Sequence, residues 1–205
     1  MNTFVNAFDQ WIRGAFVEMN TELEETYFAQ QDKAAVEDVG TATKNQLVEE
    51  GRGFIADLLN EGNTDEGFDQ AFDLLGNVGL YMAACRRHDI TEPSRETSSP
   101  LAEASGLAMH LGSSLNVTPR FATSHLTTHN SSLNGHYKSF TSLPDEYLFI
   151  EYNTLSVFAF KRAADALIRV LPLGISHPVS YHLLMDAKLA LQDVVKINEQ
   201  LIERL

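Results

Sequence analysis

The chain has 205 residues, of which 44% are hydrophobic and 21% charged, with a formal net charge of -13. That length can bury one core, or a domain and a half, and the balance is ordinary for a globular protein. No Lys/Arg cluster is present to displace counterions from a phosphate backbone, and an anionic bilayer repels such a chain, so nucleic acid and membrane surfaces are excluded as partners.

Phe4, Phe8, Trp11, Ile12, Ala15, Phe16, Met19 and Leu23 recur at helical steps and predict one helix with a single inward stripe. Glu18, Glu22, Glu24 and Glu25 lie largely off that stripe, on a solvated face. A second helix is predicted over Asp32 to Asn60, with Val36, Val39, Leu47, Phe54, Ile55, Leu58 and Leu59 inward and Gly40, Gly51 and Gly53 as its weak points. Gly62 stops it, and Asn63 or Thr64 is the expected N-cap of the next. The third helix, Asp65 to His88, carries Phe68, Phe72, Leu75, Val78, Leu80, Met82 and Cys85, and its Gly76 and Gly79 permit close helix contact. Arg86, Arg87 and His88 at its end complement the helix dipole. Residues 89–100 hold two prolines among polar residues and read as the domain boundary, giving an N-terminal helical domain over 1–96 and a second over 97–205.

Leu101 to Leu115 then reads as a helix ending around Gly112, and Pro119 opens a short helix through Phe121, Ala122, His125, Leu126 and His129. Residues 130–144 are polar, with an Asn134-Gly135 turn signal, and Ser142 is the expected N-cap before Pro144. One long helix covers 144–172, residues 172–178 break it, and a last amphipathic helix runs from about Ser180 to Leu205. With no alternating stretch of any length, the fold class is all-α and multi-helical.

Chemistry is sparse. The lone Cys85 excludes an intrachain disulfide and a cysteine-based zinc site, which fits a reducing cytoplasm. The N-terminus lacks the charge and apolar pattern of a secretory signal, and no run approaches the roughly 20 apolar residues of a membrane span. Gly51-Arg52-Gly53 lacks the spacing of a phosphate loop, and no nucleophile elbow occurs. The acidic pairs suit dipole partners or solvated faces. His125 and His129, a helical turn apart, read as a polar face, as pocket lining or as a metal pair. Phe149, Asn153, Ser156 or Val157, and Phe160 share one side of the long helix, a core face or a pocket wall, because a buried amide needs partners.

Asp145, Glu146, Leu148, Phe149, Ile150 and Asn153 open that helix, and Ile168, Arg169, Val170, Leu171 and Pro172 close it. The run resembles the helix lining the distal side of the haem in tryptophan and indoleamine dioxygenases. The similarity covers about residues 101–205, through LAEASGLAMHLGSSLNVTPRFATSHLTTHN before it and YHLLMDAKLALQDVVKINEQLI after it. FDLLGNVGLYMAACRRH and YKSFTSLPDEYLFIEYNT are similar to runs of the bacterial branch containing monodechloroaminopyrrolnitrin synthase, which extends the likeness to the N-terminal residues.

The resemblance implies the distal half of an indoleamine dioxygenase-like haem domain over 97–205, preceded by a small helical region. It implies haem b, O2 and a small indole substrate such as tryptophan, oxidised or rearranged. Phe149 matches the aromatic that packs on the indole and Asn153 the polar residue near its nitrogen; a register one turn on gives those places to Asn153 and Val157. Ser124 and His125 would form another pocket wall. No catalytic residue is assigned, and the axial histidine is expected beyond Leu205, so the chain resembles an N-terminal half that binds haem weakly alone. Apolar faces left exposed would then pair with the remaining half or form a homo-oligomer. The contrasting expectation is a non-catalytic helical interaction module that keeps the fold without a haem ligand.

Overall fold

The computed structural model describes residues 3–62, 67–91 and 101–205. Its helices are α1 (Thr3–Arg13), α2 (Ala15–Phe28), α3 (Thr41–Glu61), α4 (Phe68–Arg87), α5 (Ala102–Leu115), α6 (Pro144–Val170) and α7 (Pro178–Arg204). The fold is all-α, as the periodicity predicts. Among the described residues the only extended pairing is an isolated antiparallel bridge, Leu133 to His136. It closes on Asn134 and Gly135 with φ of 52° and 86°, the left-handed pair that an Asn-Gly turn supplies. No helix among the described residues is long and apolar enough to cross a membrane.

The chain forms two compact units, one of residues 1–125 and 129–142, the other of 126–128 and 143–205. The expected boundary at 96/97 falls within 92–100, outside the described residues, as do the expected caps Asn63 and Thr64. Helix α5 packs on α4 and α3 and therefore belongs to the first unit instead of opening a second domain.

In that first unit the single N-terminal helix of the sequence reading is two. The break falls at Gly14, where a missing side chain removes the helical preference. The stripe survives it: Phe8, Ile12, Phe16 and Leu23 are all buried. Trp11 stacks on Phe8 and meets Phe16 and Tyr81 edge-on and Phe54 at a tilt, and its indole donates to Glu50 Oε2 at 2.6 Å. Helix α3 starts at Thr41, not Asp32, because Gly40 is left-handed at φ 69°. Buried Lys44 then reaches back to the Val36 and Glu37 carbonyls and fixes the turn before it. Leu59 and Phe68, expected inward, are 43% and 51% exposed.

The segment after α5 is held by ions and glycines. Buried Lys138 lies 3.0 Å from Asp9 Oδ1 and 2.6 Å from Asp73 Oδ1, while Arg13 donates to the Ser131 and His136 carbonyls. Ser142 does not cap α6: Leu143 is the N-cap with Pro144 behind it, and the Ser142 amide and hydroxyl both engage Thr21 instead.

The second unit is an antiparallel hairpin. On α6 the buried residues are Tyr152, Ser156, Ala159, Ala163, Ala166 and Val170; on α7 they are Ser180, Leu183, Ala187, Ala190 and Val194. Both sets alternate steps of three and four, the heptad of a coiled-coil seam. Ala163, Ala166, Ala187 and Ala190 pack together at its centre, so the helix axes approach closely. His177 caps α7 through Nδ1, which accepts from the Val179 amide at 3.2 Å. Ala187→Leu is expected to overpack this seam and cost about 1–3 kcal/mol, read as a lowered urea midpoint. An unchanged midpoint would mean that the seam is loose.

Candidate functional site

Helix α6 turns one side to α7, and the residues singled out in the sequence lie on the flank beside that seam. Phe149 is 53% exposed, Asn153 and Val157 are half-buried, and Phe160 is 52% exposed. Ser156, the alternative to Val157, faces the seam instead, with its hydroxyl 3.5 Å from Asn198 Oδ1. At helical spacing Phe149, Asn153, Val157, Phe160 and Leu167 form one stripe. Leu167 continues onto α7 across a groove of about 400 Å3 shared with Leu184, Ala187, Leu191 and Val195. The other flank carries Arg162, Asp165, Arg169 and Asp186, with Arg162 paired to Asp193 at 2.7 Å, beside Leu155, Phe158 and Leu189. The hairpin thus has an apolar side and a mixed, charged side.

Asn153 has a defined orientation. Its Nδ2 donates to the Phe149 carbonyl at 2.7 Å, one turn back on its own helix. Only the amide nitrogen can make that bond, so Oδ1 is the atom directed outward, and no partner among the described residues engages it.

Ser124 and His125 are not part of that stripe; they belong to the first unit's segment, with His125 in a single 3-10 turn at Thr123–His125. The predicted short helix is absent there, so His125 and His129 share no helix face. The glycines explain the turn. A Cβ on Gly76 would come within 2.7 Å of the His125 ring, on Gly79 within 2.8 Å of Phe121, and on Gly112 within 2.7 Å of Pro119. These glycines receive the 119–125 segment and not, as expected of Gly76 and Gly79, another helix. His125 is 3% exposed, with ring centroids 4.2 Å from Phe72 and 5.5 Å from Phe121. His129 packs on the same Phe72 at 4.9 Å.

Protonation follows from these partners. His125 Nδ1 accepts from the Ala122 amide at 3.0 Å, which leaves the proton on Nε2. Burial, then the Lys138 charge and, less, His129, pushes its pKa down to about 4, against an upward pull from Asp73 and the Phe72 backbone. Among the described residues no group meets Nε2 in good hydrogen-bond geometry, the Phe72 backbone included.

His88 was expected as a cation at the α4 terminus, but it is fully buried and neutral. Burial, with Arg87 and Lys44 nearby, depresses its pKa to about 3. Asn20 Nδ2 donates to the Phe16 carbonyl, so its Oδ1 accepts from His88 Nε2 at 2.7 Å. His88 Nδ1 therefore accepts from the Tyr27 hydroxyl at 3.0 Å. This network was not legible as a site in the sequence, because its members lie on α2 and just past α4. Cys85 is buried and its thiol is pushed up to about 12 by desolvation, so it is no nucleophile.

A haem would need an imidazole nitrogen with a free lone pair facing an apolar slot. Both buried histidines use Nδ1 as an acceptor and carry the proton on Nε2, so neither fits as the iron ligand. His110, His129, His136, His177 and His182 are exposed, and none lines the α6–α7 grooves or the cleft between α3, α4 and α5. No group of three His, Cys, Asp or Glu residues able to hold a metal ion is found among the described residues.

The model of the family described as monodechloroaminopyrrolnitrin synthase PrnB matches residues 2–205. Among curated proteins, none matches the chain. At the family level the function is haem-dependent, dioxygenase-like and tryptophan-related. An all-α fold, a long helix with an aromatic and amide stripe, and a match across nearly every residue agree: the chain belongs to the monodechloroaminopyrrolnitrin synthase PrnB family, within the tryptophan and indoleamine dioxygenase-like haem superfamily.

Proposed function

We propose that the chain supplies the distal, substrate-facing wall of a haem-dependent pocket that oxidises or rearranges tryptophan or a related indole with O2. The observation that carries this reading is the family match over residues 2–205. On this reading the α6 flank supplies the side chains that meet the ring. Phe149 offers an exposed aromatic face for offset stacking, and Val157 extends the apolar wall. Asn153 directs Oδ1 outward, where it accepts from an indole N–H. An amide holds no titratable proton near neutral pH, so Asn153 orients the ring and moves no proton. Ser124 and His125 are left out of this wall, since the His125 ring is enclosed by Phe72, Gly76 and Phe121. Haem b supplies the oxygen chemistry when bound. We assign its axial ligand to a segment outside residues 1–205; in support, His88 and His125 both hold a proton on Nε2, and the other five histidines are exposed and line none of the grooves described.

Haem-loaded protein titrated with tryptophan is expected to show a Soret shift that Phe149→Ala removes. A Soret band indifferent to every indole tested overturns the reading. Residues 1–205 alone are expected to take up haem without one-to-one stoichiometry. A sharp one-to-one Soret band lost on substituting His125, His129 or His182 singly would refute the outside ligand. The second reading, a non-catalytic interaction or dimerisation module, is favoured by the apolar α6–α7 flank, where Phe160, Leu191 and Val195 are exposed.

A further inference from the structure

We propose that the cleft between α3, α4 and α5 is a separate ligand site for a small α-amino acid with an apolar side chain. The cleft encloses about 670 Å3, within the range of small-molecule sites, about 300–1,000 Å3. It lies wholly in the first unit and shares no residue with the α6 flank, so it does not rest on the indole reading.

The floor is carbon. Val48, Ile55, Tyr81 and Ala104 line it. Tyr81 is fully buried and donates its hydroxyl to the Val48 carbonyl at 3.2 Å, so its ring is fixed and its polar atom is already satisfied. A Cβ on Gly51 would fall 2.2 Å from Tyr81 Cε2, so α3 is seated directly on that ring.

The rim is charged and unpaired. Glu49 and Arg52 stand three residues apart on α3, hence on one face, and Glu103 stands across from them in the first turn of α5. All three are exposed, and no ion pair or hydrogen bond among the described residues engages their side chains. A free guanidinium presents a planar fork that matches a carboxylate, and two free carboxylates on opposite walls present an ammonium site. A bare carboxylic acid would satisfy Arg52 but face both glutamates. A bare amine would leave Arg52 unmatched. A zwitterion with an apolar remainder satisfies the rim and covers the floor, which selects the α-amino acid class.

The test is chemical-shift titration of the protein with L-leucine, 3-methylbutylamine and 4-methylpentanoate, following the Gly53, Ala56 and Ala104 amides. L-leucine is expected to shift them saturably, and each singly charged analogue to bind at least about tenfold more weakly. Arg52→Gln should weaken L-leucine by a similar factor without weakening the amine, and Glu103→Gln should weaken L-leucine without weakening the acid. Asn153→Leu should leave every one of these affinities unchanged, which separates this site from the indole wall. All substituted side chains are solvent-facing or half-buried, so unchanged spectra elsewhere report intact folding. The proposal is overturned by the absence of a saturable shift at those amides up to about 50 mM L-leucine, or by shifts that persist undiminished in both rim variants.

Discussion

Lowering the pH from 7 to 5 is expected to destabilise the first unit by about 4 kcal/mol, roughly half from each of two buried histidines. The sign follows from the direction of the shifts. His88 and His125 have folded pKa values depressed to about 3 and about 4, below the unfolded value of about 6.5. Each therefore contributes stability that is present above about pH 6.5, where both states are neutral, and is lost as the pH falls and only the unfolded chain takes up the proton. The Asp9 carboxylate does not act in this window. Burial raises its pKa, but the Lys138 charge and the bonds from Arg13 and Lys138 outweigh that and hold it below 3.8. Its contribution is lost only below about pH 4. Urea unfolding at pH 7, 6 and 5 reads the slope, and His88→Gln, although less stable at pH 7, should retain about half of it. A flat profile between pH 7 and 5 would show that these imidazoles are protonated in the folded protein and that their assigned partners are wrong.

The same histidines mark where the sequence stops being informative. Helices α6 and α7 are legible because their signals are local: Pro144 and the acids Asp145 and Glu146 start α6, and the heptad of small and apolar residues repeats along both helices. The alternation of a stripe with an amide at Asn153 is likewise local, so that flank of α6 is legible in the sequence. His88 is different. Whether it is a cation at a helix end or a buried neutral ring depends on Asn20 and Tyr27, some sixty residues earlier, and no periodicity encodes that pairing. The missing helix after Pro119 has the same cause. Its residues suit a helix, but Gly76, Gly79 and Gly112 admit the backbone so closely that tertiary packing decides the conformation. Gly76 and Gly79 were visible as a signal; what they receive was not. Lys138 likewise carries no local signal, because Asp9 and Asp73, which converge on it, lie far away along the chain.

Asn153→Leu is expected to change stability by no more than about 0.5 kcal/mol, while lowering the affinity for an indole bearing a free N–H by about tenfold. The stability half follows from geometry. Asn153 is half-buried, and its single bond goes to the Phe149 carbonyl on its own helix, a local contact whose loss strands no distant partner. Leucine is also a better helix former than asparagine, which offsets part of that loss. The binding half follows from Oδ1, the outward acceptor, which leucine cannot replace. An N1-methylated indole separates the two contributions. The native protein should prefer the N–H form by about tenfold, and the variant should show no preference, because the acceptor that distinguishes them is gone. Thermal melts and titration of one variant against both ligands decide the matter. A stability loss of about 1–3 kcal/mol with unchanged affinities would make Asn153 a structural amide, and a discrimination against the methylated ring that survives in the variant would place the indole nitrogen at some other residue.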